Sequence, residues 1–243
     1  MFYSQLKYLR FLLKASNQHG VHSPFVYQLI TKCFYRKTPE HLWEKYLNAK
    51  QEIFDCQKKS ERLVSNVVKV SEISNNKAKI LIKTICYFKP KNILKVGTSL
   101  DLQTTAIKIG SKNAAITTLE NCPKKNVVEQ DLFEKDNFNT VEILNSDFSK
   151  TLLKYTQNKQ FDCVFFDKNQ TKQATLNCFE ECLKTIHNDS FFIFDAIYWT
   201  AEMQEAWSFI KKHPKVGVTI DVFYYGIVFF RKEQEKEHFK IRV

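Results

Sequence analysis

A chain of 243 residues with 44% hydrophobic content can bury a full core and has room for one large domain, or one domain with an appendage. Its longest apolar runs, such as "SFFIF" and "GIVFF", fall far short of the ~20 residues that a membrane-spanning helix needs, so no membrane partner is expected. The formal net charge is +11 and sits at one end: residues 1–90 hold 16 Lys/Arg against 6 Asp/Glu, whereas residues 91–243 hold 21 against 20.

A basic amino-terminal third raises the question of an acidic partner such as nucleic acid. The lysines there are scattered on helix-like patterns without a run of four, and a solvated helical surface is the plainer reading. Lys7, Arg10 and Lys14 interrupt the first apolar segment, so it forms no secretory core. The seven cysteines include no CxxC pair and no zinc-type cluster with histidine. Cys178 and Cys182, four apart, share a helix face, where core packing explains them better than a metal. Reduced thiols fit a cytoplasmic location.

In chain order, the amino-terminal segment places Phe2, Leu6, Leu9 and Leu13 at spacings of three and four, one apolar helical stripe. "HSPFVYQLITKCF" reads as a second helix with Ser23 as N-cap and Pro24 at its first position. "LWEKYLNAKQEIFDCQKKSERL" and "NKAKILIKTICYF" supply two more, and residues 1–89 are expected to form a helical cap or support region. From Pro90 the texture changes to short apolar strands alternating with amphipathic helices. "NILKVG" leads to "LDLQTTAIKIGS", "AAITTLE" to "PKKNVVEQDLFEK" and "TVEILNSD" to "FSKTLLKYTQ". "FDCVFFD" then leads to "KQATLNCFEECLKTI", and "SFFIFD" to "AEMQEAWSFIKKH". Five β–α units imply a mostly parallel sheet with helices on both faces. "VGVTIDVF" and "YGIVFFRK" follow almost without a break, which requires an antiparallel hairpin. Residues 90–243 are therefore expected to be one α/β domain.

In such a sheet, ligands bind beyond the carboxyl ends of the strands, near the reversal of strand order. The residues there are Gly97 to Asp101, Glu120, Asp147, Asp167 and Asp195. Glu120 lies 23 positions after Gly97, close to the ~20-residue separation at which an acid meets a ribose after a glycine loop. Tyr198 and Trp199 follow the fifth strand and suit an acceptor wall, with Trp199 equally readable as a core anchor. His19 and His22, in "NQHGVHSPF", are candidates to fold over the site with a base, although such a turn more often only fixes a helix start.

"LKVGTSL", the acid ending "TTLE", the "FFD" and "FIFD" strand ends and the terminal hairpin together resemble class I S-adenosylmethionine-dependent methyltransferases, particularly O-methyltransferases of the catechol type. The resemblance spans about residues 90–232 and implies a Rossmann-like sheet carrying S-adenosylmethionine as cofactor. By that resemblance Gly97, Thr98 and Ser99 touch the methionine part, Glu120 binds ribose, and Asp147 with Phe148 lies near the adenine. Catechol-type members also hold a divalent cation, which implies Asp167 and Asp195 as ligands for Mg²⁺, with Ala196 in place of the customary Asn. The acceptor implied is a small-molecule hydroxyl, and Asp167, Asp195 and Tyr198 are the catalytic candidates.

Lys95 and Asp101 stand where the family has an acid and a glycine. Either Lys95 takes the cofactor carboxylate while Asp101 takes its amino group, or the two bind each other and fill a retired pocket. The second case makes the chain a degenerate methyltransferase with a binding or structural role. A third reading is an RNA-binding or RNA-modifying protein using the basic helices, although the NPPY-type tetrapeptide of base N-methylation is missing from "FFDKNQ". A homodimer is the remaining partner expectation.

Overall fold

The structure is a computed structural model that describes residues 2–63, 73–97, 102–120, 141–145, 152, 153, 156, 159–168 and 171–243. The amino-terminal helix α1 runs Phe2–Lys14. It seats Phe11, 3% exposed, together with Tyr8 against Phe223, at centroid distances of 5.5 and 4.7 Å. The leucines of the apolar stripe face out, with Leu6 at 56%, Leu9 at 59% and Leu13 at 87% exposure. The docking surface is aromatic, and it selects the aromatic face of α1 rather than the leucine face.

Helix α2, Pro24–Leu29, begins as expected: Ser23 Oγ accepts from Val26 N, and Pro24 stands at the start where its missing N–H leaves no helical bond unmade. It continues into a wider turn, Ile30–Phe34. Helix α3 is Glu40–Leu63 and α4 is Asn75–Phe88. Ser74 caps α4 by accepting from Lys77 N, and Lys89 closes it in the left-handed conformation.

The α/β part comprises β1 (Asn92–Val96), α5 (Leu102–Gly110), β2 (Ala115–Glu120), β3 (Val141–Asn145), β4 (Cys163–Phe166), α6 (Lys172–Cys182), β5 (Phe191–Asp195), α7 (Ala201–Lys212), β6 (Val218–Asp221), β7 (Tyr225–Phe229) and β8 (Glu237–Lys240). They form one eight-stranded sheet in the order β3-β2-β1-β4-β5-β7-β6-β8. The first five strands are parallel, and β7 runs antiparallel between β5 and β6, which gives the expected terminal hairpin. The expected helix "PKKNVVEQDLFEK" lies outside the described residues, as does most of "FSKTLLKYTQ".

Strand alternation divides the interior into two cores. On one face Ile93, Phe165, Phe191 and Ile193 pack with Leu29, Ile30 and Tyr46 of the amino-terminal helices and with Ile82, Ala106 and Ile107 of α4 and α5. On the other, Leu94, Val164, Phe192 and Phe194 pack with Phe179 and Cys182 of α6 and Trp207 and Ile210 of α7. Each fully buried side chain of this size stabilises by about 1.5–3 kcal/mol. Cys178 and Cys182 face this second core, where burial pushes both thiols up, Cys178 to about 12, so they stay protonated. Among the described residues no helix is long and apolar enough to cross a membrane.

Candidate functional site

Strand order reverses at β1, whose neighbours are β2 on one side and β4 on the other. The carboxyl ends of β1, β4 and β5 are adjacent and carry Gly97, Asp167 and Asp195. Gly97 turns out of β1 with φ +130°, in the region that only glycine adopts easily, and a Cβ there would lie 2.6 Å from Asp167 Cβ. Gly97 is thus required by the approach of β4, whose Asp167 N donates to Val96 O at 3.0 Å. Asp167 is 4% exposed and accepts from the Lys168 backbone N–H at 2.6 Å.

Asp195 is 1% exposed, and both of its oxygens are engaged. The Lys77 ammonium pairs with Oδ1, and the Gln103 amide donates to Oδ2. Lys77 comes from the first turn of α4 and Gln103 from the first turn of α5, so the positive ends of two helices converge on one carboxylate. A lysine in a first turn opposes the helix dipole by about 0.3–1 kcal/mol, and the buried carboxylate offsets this. The ammonium also stands 5.4 Å from the centroid of the Tyr225 ring, beside Asp195 in register. Neither Lys77 nor Gln103 was legible as a site residue. The signal for Lys77 was a cation two residues inside a helix start, where acids are the usual choice.

Mg²⁺ at Asp167 and Asp195 does not fit this arrangement. A divalent ion about 4 Å from the Lys77 ammonium would be repelled by about 8 kcal/mol at an effective dielectric of 20. Asp195 has already spent its oxygens on Lys77 and Gln103. Ala196 supplies no side-chain oxygen, and among the described residues no group of three or more His, Cys, Asp and Glu is arranged to hold a metal. Ala196 does keep a left-handed backbone, φ +52°, the conformation that Asn tolerates best among non-glycine residues.

Tyr198 is turned toward the carboxyl ends of β6 and β8, on the far side of Asp195 from β1 and β4. Its hydroxyl donates to Asp221 of β6 and accepts from Lys240 Nζ of β8 at 3.1 Å, and its ring stacks on Phe223 at 5.2 Å. Burial and the Asp221 charge push its pKa well up, so it holds its proton and braces the hairpin rather than serving as a base. Trp199 is 62% exposed beside the site, with Lys168 Nζ 5.5 Å from its ring centroid, which joins the ends of β4 and β5 at the surface. His19 and His22 belong to residues 16–23 at the β8 edge of the sheet: Ser16 pairs with Ile241, just past the carboxyl end of β8, and Ser23 Oγ donates to Gln234 in the connection between β7 and β8.

Lys95 has no exposed surface and sits between Thr118 and Phe165 in register, on the face shared with Ile93. Glu120 ends β2 opposite Asn145. Thr98, Ser99, Asp101, Asp147 and Phe148 lie outside the described residues.

Residues 49–219 match the sequence pattern of the O-methyltransferase family. The chain belongs to that family. An SAH-bound methyltransferase from Podospora anserina shares 16% identity over 87% of this chain and 97% of its own, with a TM-score of 0.59. An O-methyltransferase from Bacillus cereus, in complex with SAH, shares 18% over 84% and 97%, TM-score 0.57. A methyltransferase from Geobacter sulfurreducens shares 12% over 76% and 88%, TM-score 0.55. No curated protein sequence matches the chain. In this fold Gly97, Asp167 and Asp195 stand together at the carboxyl ends of adjacent strands.

Proposed function

We propose that this chain transfers a methyl group from S-adenosylmethionine to a hydroxyl of a small molecule. The observation that carries the reading is the turn at Gly97: in a chain of the O-methyltransferase family, the first strand ends at the switch point in a glycine that admits no side chain. The fit to the cofactor rests on that turn, which brings bare backbone to the strand ends, and on Glu120, which ends the neighbouring strand at the position suited to a ribose.

S-adenosylmethionine supplies an electrophilic methyl carbon on a sulfonium. The chain's own task is to hold the acceptor oxygen on the methyl axis and to keep water out. Trp199, exposed beside the ends of β4 and β5, supports the reading of an acceptor wall, and Lys168 over its ring restrains it. Asp167 adds a carboxylate at the strand ends, whereas the charge of Asp195 is balanced by Lys77.

Isothermal titration with S-adenosylmethionine and S-adenosylhomocysteine tests the reading. Saturable binding of both is expected, weakened at least about tenfold in Glu120→Ala through loss of hydrogen bonds to the ribose. Absence of heat at millimolar ligand would sink it. That result would favour the degenerate reading, which draws its support from the full burial of Lys95 in the first strand.

A further inference from the structure

We propose that Lys77 is the resident cation of this site, a built-in ammonium that takes the position given by resemblance to a divalent metal and closes Asp195 to metal ions. Four observations meet at one carboxylate. The Lys77 ammonium pairs with one oxygen of Asp195, and the Gln103 amide engages the other. The Tyr225 ring flanks the ammonium at 5.4 Å, so the cation is held on a second side by an aromatic face. The amino-terminal turns of α4 and α5 bring both partners in, and their dipoles add further positive potential where a metal would have to approach. Ala196, left-handed like an Asn but lacking its oxygen, removes the neighbouring ligand while keeping the backbone path.

The Lys77 side chain is 13% exposed and that of Asp195 is fully buried, so the carboxylate is sealed while an edge of the cation remains at the strand ends. A lysine tethered by its own helix cannot be stripped by a chelator. The cation at this end of the sheet is therefore built into the chain and independent of metal supply. Its use in methyl transfer rests on the function proposed above. The closing of Asp195 to metal does not.

The test is a Mn²⁺ titration of the full chain, followed by electron paramagnetic resonance of the free ion, with no cofactor or acceptor present. The wild type is expected to bind no stoichiometric Mn²⁺ at millimolar concentration. Lys77→Ala is expected to bind one ion per chain, at least about a hundredfold more tightly than the wild type, because the repelling charge is gone and a buried carboxylate is left to be neutralised. Adding Asp195→Asn to Lys77→Ala is expected to remove that binding. Lys77→Gln, which keeps a donor near Asp195 without the charge, guards against a fold defect in the alanine variant and is expected to gain Mn²⁺ as well. Stoichiometric binding by the wild type that Asp195→Asn abolishes would overturn the proposal, and so would a folded Lys77 variant that gains no Mn²⁺. A failed S-adenosylmethionine titration would remove the methyl-transfer reading and leave the Mn²⁺ result standing.

Discussion

Two residues that flank the site sit in left-handed backbone, one suited to it and one not. Gly97, at φ +130°, has no space for a Cβ because Asp167 Cβ would lie 2.6 Å away, and that atom is fixed to a strand backbone that cannot swing aside. Gly97→Ala is therefore expected to destabilise by about 3 kcal/mol, the sum of a strained conformation and an overpacked contact. Ala196, at φ +52°, carries a Cβ where glycine would not. Relief of about 1–2 kcal/mol of left-handed strain outweighs the added freedom of the unfolded chain, so Ala196→Gly is expected to stabilise by about 0.5 kcal/mol. Thermal unfolding of the two variants checks both signs, and a lowered melting temperature for Ala196→Gly would contradict the strain argument. At this scale the sequence was legible in part. Gly97, Asp167 and Asp195 could be placed at strand ends because a period-two pattern followed by a carboxylate or glycine marks where a strand stops. Lys77 could not, because its partner Asp195 is 118 positions away and only the packing of α4 on the sheet face that carries β5 brings the two together.

At the scale of elements, the β–α alternation and the final hairpin were readable because each strand is a short apolar run with its own turn signal. The last strand, β8, was not. Its "EHFK" offers a single apolar residue, and its conformation comes from parallel pairing with β6, in which Glu237 N donates to Gly217 O at 3.1 Å. Helix α1 shows the complementary failure. Its periodicity was correct, but periodicity identifies a stripe without saying what surface receives it, and here the receiving surface is the aromatic group of Tyr198 and Phe223. The two faces of α1 should therefore respond differently to truncation. Phe11→Ala is expected to cost about 3 kcal/mol, since it empties a buried aromatic site, whereas Leu13→Ser is expected to change stability by less than about 0.5 kcal/mol. Urea unfolding of the two variants measures this. Equal losses would mean that the leucine stripe is covered in solution.

For the molecule as a whole, response to acid is set by polar groups caught between the sheet layers and their covering elements. His213, at the end of α7, lies edge-on to Phe179 at 5.4 Å, and burial pulls its pKa below the ordinary 6.5. Glu180, 3.7 Å away, opposes that shift, while Lys215 and Lys236 reinforce it. His238 on β8, whose Nδ1 lies 2.9 Å from Thr219 Oγ1, is shifted the same way, by burial first and then by Lys211 and Lys236. A histidine whose folded pKa is depressed contributes stability that is present above its unfolded value, and that stability is lost as pH falls through the folded value. Asp221 behaves in the opposite sense: burial raises its pKa above the ordinary 3.8, so its contribution is present below that value and is lost as pH rises through the folded one. The denaturation midpoint of the wild type is thus expected to decline as pH is lowered from neutral to about 5, where both histidines must take up a proton in a desolvated setting. His213→Gln should flatten that decline, and His213→Gln with His238→Gln should flatten it further. Because Asp221 is common to all three proteins, the difference in slope isolates the histidines. Parallel slopes would show that acid acts elsewhere in the fold.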